Sequence, residues 1–143
     1  MATPKKISEE VAKLMEALHS PLEGAGWQRI WIAEREGQIV GDSVVRASFM
    51  NTTQHRCQFA IGIERAARGA GLGRRLSEEA IAWCRRQQRF DWLDLWVFAH
   101  NAPAIALYER LGFQKIDVVK DQFRVHGQKI DDLHMTLALR EIC

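Results

Sequence analysis

One stretch limits this chain more than any other: Arg68-Gly69-Ala70-Gly71-Leu72-Gly73-Arg74. It follows an apolar run, Phe59-Ala60-Ile61-Gly62-Ile63, and opens an amphipathic segment that reaches to about Gln88. The order this predicts is strand, loop, glycine-rich turn, helix. Glycines at alternate positions let the backbone approach a ligand with no Cβ in the way. The first turn of a helix offers unpaired N–H groups and the positive end of its dipole. Together these features make a cradle for a phosphate or pyrophosphate.

The rest of the chain supplies an α/β frame around that turn. Val11, Leu14, Met15 and Leu18 recur at helical spacing behind Ser8 as N-cap, predicting a helix over residues 8–19. Residues 28–34 and 38–49 read as strands around the hairpin signal Arg35-Glu36-Gly37, and residues 55–63 as the next strand. On the helix after the glycine turn, Leu72, Leu76, Ala80, Trp83 and Cys84 share one face. Residues 92–99 are apolar on both sides except at Asp94, the mark of a central strand. Asn101 then caps a helix with Pro103 in its first turn, and Gly112 ends it. Two further strands, residues 113–122 and 129–139, close the sequence. The expected fold is one α/β (α+β) domain of 143 residues, with a mixed, mostly antiparallel sheet of about six strands and helices on both faces.

Spacing narrows the phosphate ligand. Gly69-Ala70-Gly71-Leu72-Gly73 is GxGxG and begins some way past the preceding strand. A dinucleotide fold needs GxGxxG with its first glycine directly after the strand. No Gly-Lys-Ser/Thr follows, which removes a P-loop, and no His/Cys/Asp cluster has metal-ligand spacing, so no metal is expected. A formal net charge of +2 is too small to argue for nucleic acid, and no apolar run reaches membrane-spanning length. Cys57, Cys84 and Cys143 are odd in number, which suits free thiols and a cytoplasmic location. Of the arginines around the turn, Arg68 and Arg74 stand beside the glycines and are the ones expected to meet phosphate.

Two blocks of residues together resemble the GNAT acetyltransferases. Arg68-x-x-Gly71-x-Gly73 matches that family's (Q/R)xxGx(G/A) signature. Leu95-x-Val97, Asn101, Ala104, Leu107-Tyr108-Glu109 and Gly112-Phe113 match its second block, in the right order. The resemblance covers roughly residues 28–139. It implies a GNAT fold with acetyl-CoA as cosubstrate, held in a V-shaped gap between the strands at residues 55–63 and 92–99. The main chain of Ile61 and Ile63 would pair with the pantetheine arm. The turn of Arg68, Gly69, Ala70, Gly71, Gly73 and Arg74 would hold the pyrophosphate, and Asn101 would contact the cofactor arm as well as cap its helix. An acceptor amine would attack the thioester directly, a backbone N–H near Ile61 would face the developing oxyanion, and Tyr108 would protonate the leaving thiolate.

The sequence departs from that pattern in two places. Many relatives carry a catalytic glutamate where Cys57 stands here, with Gln58 beside it. His55, Asp94, Asp42 and a chain of waters remain as sources of a base. The chain also opens directly on the helix at residues 8–19, without the family's usual first strand. That predicts an acceptor site that is open, completed by a second subunit, or lost with a wrong or truncated start, and a homodimer is compatible with the apolar strand faces. The implied activity is N-acetylation of a small-molecule amine or a peptide N-terminus (an amino acid, a protein N-terminus or a polyamine). A CoA-binding sensor without catalysis is the alternative.

Overall fold

The computed structural model describes residues 18–69 and 71–141. The helix predicted over residues 8–19 lies outside them, except that Leu18 and His19 are helical; Ala70 and Cys143 are also outside. Six strands form one sheet: β1 (Gln28–Arg35), β2 (Gln38–Ala47), β3 (Arg56–Ile63), β4 (Trp92–Phe98), β5 (Gln114–Val125) and β6 (Gln128–Ala138). Two helices connect them, α1 (Leu72–Arg86) between β3 and β4, and α2 (Ala102–Arg110) between β4 and β5. The spatial order is β1-β2-β3-β4-β6-β5. Only β3 and β4 run parallel; every other neighbouring pair is antiparallel.

Local chemistry explains the hairpins. Glu36 and Gly37 carry φ of 51° and 78°, and His126 and Gly127 carry 51° and 78°. Two consecutive left-handed residues make the turn whose twist matches that of the flanking strands. The second turn lets β5 run on to Val125, three residues past the predicted strand end.

One face of the sheet holds the core. Val45, Cys57, Phe59, Leu93, Leu95, Met135 and Leu137 are buried there. Each such side chain adds roughly 1.5–3 kcal/mol relative to exposure. α1 covers this face with Leu76, Ala80, Ile81 and Cys84, and α2 with Ile105 and Tyr108. Cys57 Sγ lies 4.0 Å from Cys84 Sγ, and the Phe59 ring 6.4 Å from that of Tyr108. Cys57 and Phe59 are two apart on β3 and so point the same way, which puts both described helices on one face. Arg56, Asp94, Trp96 and Phe98 point to the other, where Trp96 and Phe98 are 46% and 41% exposed.

Candidate active site

β3 and β4 pair only at Arg56–Trp92, Cys57–Leu93 and Gln58–Asp94. Beyond that point β3 continues to Ile63 beside β2, and β4 to Phe98 beside β6. The sheet therefore splits into a V in its middle. Glu64 N–H donates to the Val40 carbonyl on the β2 side. Backbone groups alternate sides along a strand, so Gly62 and Ala60 also serve β2, while Phe59, Ile61 and Ile63 turn their N–H and C=O groups into the gap. On the other wall Ala99 N–H donates to Asp131 next to β6, which turns the main chain of Trp96 and Phe98 toward the gap. Interior backbone groups demand partners, and an extended chain or ligand arm can supply them by adding a strand. Ile63 is partly engaged already: its carbonyl accepts from Arg68 Nε at 3.3 Å.

The glycine turn lies at the open end of the V. Gly69 and Gly71 have φ of 84° and 77°, and a Cβ built on either meets nothing within 4 Å. The backbone there is open to approach. The first intrahelical bond of α1 runs from Arg75 N–H to the Gly71 carbonyl at 3.1 Å, and no side chain caps the helix. The N–H groups of Leu72, Gly73 and Arg74 therefore precede the helical ladder and are available to an anion. Gly73 has a different task, because a Cβ there would stand 3.3 Å from Leu107 Cδ2 and 3.7 Å from Ile61 Cδ1. It lets α1 settle against α2 and β3. The Arg74 side chain turns along its helix to Glu78 at 2.7 Å. A groove between α1 and α2, lined by Arg74, Glu78, Arg85 and Arg110 among others, includes no residue of β3 or β4 and is separate from the gap.

Asn101 follows the end of β4. Its N–H donates to the Phe98 carbonyl at 2.9 Å and its Oδ1 accepts from Ala104 N–H at 3.3 Å, so it caps α2 as expected. Tyr108 lies two turns further on, 7% exposed, with its ring 5.8 Å from Phe113. Burial pushes its hydroxyl up to about 12, so the phenol keeps its proton at any physiological pH.

The candidates for a base separate clearly. Cys57 is buried; its hydrogen bond with Cys84 and its burial push the thiol well above the ordinary range, so no thiolate forms there. His55 is exposed and precedes β3 at the closed end of the V. Asp42 lies beside Gly62, whose added Cβ would come 3.1 Å from its Oδ1. Asp94 is almost fully buried, with Arg56 bonded to both carboxylate oxygens at 2.8 and 2.7 Å and His134 Nε2 at 3.1 Å. Burial alone would raise this carboxyl, but hydrogen bonds from Arg56, Thr136 and His134 outweigh it and hold it below the usual carboxylate range. The His134 ring stacks on Trp96 at 4.5 Å and 8° between planes. The sequence singles out Asp94, whereas His134 reads there as a surface or edge histidine and Arg56 stands unmarked. Alternation in β6 could have placed His134 opposite the core face, but its partner depends on strand register.

A sheet split at its parallel pair, a glycine turn and an uncapped helix form the arrangement that the GNAT resemblance implies. The chain matches the acetyltransferase (GNAT) domain over residues 26–115, and it belongs to the GNAT acetyltransferase family. It is 28% identical over 100 residues to the L-amino acid N-acetyltransferase AaaT of Escherichia coli (strain K12), covering 70% of this chain and 62% of AaaT. The chain thus spans somewhat less than two thirds of that relative's length. Ribosomal-protein-alanine N-acetyltransferase from Brucella melitensis superposes with a TM-score of 0.72 at 29% identity, over 78% of this chain and 68% of the other. The protein yncA from Salmonella typhimurium, solved with its cofactor acetyl-CoA, superposes with a TM-score of 0.81 over 94% of this chain and 74% of its own. At 23% identity, that last likeness speaks to the fold alone.

Proposed function

We propose that this protein transfers an acetyl group from acetyl-CoA to a primary amine, either on a small molecule such as an amino acid or at a peptide N-terminus. The observation that carries the reading is the gap between β3 and β4, with the glycine turn at its open end. In this reading the main chain of Ile61 and Ile63 pairs with the pantetheine arm, with Arg68 Nε yielding the Ile63 carbonyl. The pyrophosphate rests on the N–H groups of Leu72, Gly73 and Arg74, in the space left by Gly69 and Gly71 and beside Ala70. The Arg68 and Arg74 side chains flank it. Asn101 uses its carbonyl as the helix cap, which leaves its amide N–H₂ to the cofactor arm.

Tyr108 acts on the leaving group. A phenol at about 12 lies roughly three units above a thiol. It therefore serves first as a hydrogen-bond donor that stabilises the departing thiolate, and solvent shares in the final protonation. A backbone N–H near Ile61 faces the carbonyl oxygen as charge develops. Relatives act on an amino acid and on a protein's alanine, which supports acceptors of both sizes.

The buried thiol at Cys57 favours one competing reading, a CoA-binding protein without catalysis. Thiol release from acetyl-CoA, measured over L-methionine, L-phenylalanine, spermidine and an alanine-initiated peptide, separates the two. The transferase reading expects release that depends on one of these amines. Release with none of them, alongside acetyl-CoA binding, leaves the sensor.

A further inference from the structure

We infer that His134, oriented by Asp94, is the general base that deprotonates the acceptor amine; the inference rests on the transferase reading above. Asp94 is the last β4 residue in the parallel ladder, and Trp96 is the first whose main chain faces the gap. His134 is the cross-strand partner of Trp96, and its imidazole lies flat on the indole at 4.5 Å. The ring is thereby fixed on the exposed face of the sheet, about one strand spacing from the edge where the V opens. Its side chain is 24% exposed, enough to meet a substrate directly or through one water.

The carboxylate settles which nitrogen is free. Asp94 is bonded to Arg56 through both oxygens and stays ionised, so it only accepts hydrogen bonds. Its 3.1 Å contact with His134 Nε2 therefore places the proton on Nε2, and Nδ1 carries the lone pair. This is the logic by which a buried carboxylate holds an imidazole in its basic tautomer. Arg56, itself packed over Trp92 at 5.1 Å, fixes the carboxylate. Asp94 and Arg56 are positioning residues; His134 is the catalytic one. The charged groups facing the imidazole are Asp94 on β4, Arg56 on β3, Asp132 on its own strand and Asp117, its cross-strand partner on β5. They leave the face with a net negative charge, which draws in an ammonium.

The chemistry then balances. The acceptor ammonium gives one proton to Nδ1, and the freed lone pair forms the C–N bond to the acetyl carbon. The C–S bond breaks with its electron pair on sulfur, where a proton is taken up as described for Tyr108. The new amide nitrogen loses its remaining surplus proton to solvent, and His134 returns its own to solvent. The position that many relatives give to glutamate is thus not needed for base catalysis.

The test is the pH dependence of kcat at saturating acceptor, in the wild type and in His134→Gln, with the four amines above. The wild type should show an acid limb, with kcat falling as the pH is lowered. The variant should turn over roughly 10²- to 10⁴-fold more slowly at pH 7, with kcat still rising through pH 9 as the free amine accumulates. Its affinity for acetyl-CoA should be unchanged, which also reports that it has folded. A variant with wild-type kcat, or one slowed equally at every pH, overturns the assignment. So does a wild-type profile flat from pH 5 to 9, whether or not the variant folds. Absence of amine-dependent turnover in the wild type overturns instead the transferase reading on which the assignment rests.

Discussion

Replacing Tyr108 by Phe separates what this residue does for the fold from what it does for the reaction. The ring packs against Phe59 at 6.4 Å and Phe113 at 5.8 Å, and the substitution keeps both contacts. Burial is what raises the hydroxyl's pKa, and no hydrogen bond among the described residues offsets it. Deleting the oxygen should therefore change stability by less than about 1 kcal/mol. In the proposed reaction the same hydroxyl meets a thiolate, and a hydrogen bond to a charged group is worth about 1.5–3 kcal/mol. At 1.36 kcal/mol per decade, that predicts a fall in kcat of roughly 10- to 150-fold, with acetyl-CoA affinity unchanged. Thiol release under saturating acetyl-CoA measures the first, and thermal unfolding checks that the fold is intact. The titration adds a second signature. The folded-state pKa is raised above that of an unfolded tyrosine, so the stability contributed by the neutral phenol is complete below pH 10. It is lost as pH rises toward 12, and the wild type should weaken over that interval relative to the variant. A variant with wild-type kcat would refute the role in the reaction; a variant that unfolds would refute the claim that the hydroxyl is dispensable to the fold.

Gly71→Ala should cost about 1–2 kcal/mol of stability, because a Cβ at φ of 77° is strained even where it meets nothing. Calorimetry should show a larger loss in acetyl-CoA affinity, since the methyl occupies the space proposed for pyrophosphate. Asp132→Asn should leave the protein as stable at pH 7 or raise its melting temperature. Asp132 is 7% exposed, and burial raises its carboxyl despite the opposing influence of His134. Ionisation therefore destabilises the wild type as pH rises through that raised value, so the variant's advantage should shrink toward pH 4.

Much of this fold is legible because its signals are local. The turn at Glu36-Gly37, the cap at Asn101 and the apolar face of α1 each follow from a few neighbouring residues, and the structure places them where the pattern does. The glycine turn stands out in the sequence because φ above zero and open space are properties that only glycine gives cheaply. Strand register is not local, and the site depends on it. Nothing between residues 56 and 94 says that Arg56 and Asp94 sit side by side, or that His134 returns on β6 to complete them. The glycines also hide a division of labour: Gly69 and Gly71 stand beside open space, whereas Gly73 makes room for Leu107. Sequence spacing treats all three alike. Arg74 reads as a phosphate ligand from its position, yet its side chain pairs with Glu78 and leaves the backbone N–H as its clearest donor.

The central claim is that the split between β3 and β4, with the turn at its mouth, holds acetyl-CoA. Backbone amide NMR during titration with acetyl-CoA tests it directly. The amides of Phe59, Ile61, Ile63, Leu72, Gly73 and Arg74 should shift most, while those of β1 and β5 hold still. ATP or NAD at the same concentration should leave all of them in place. Saturable shifts confined to another surface, or no shifts at millimolar acetyl-CoA, would contradict the account.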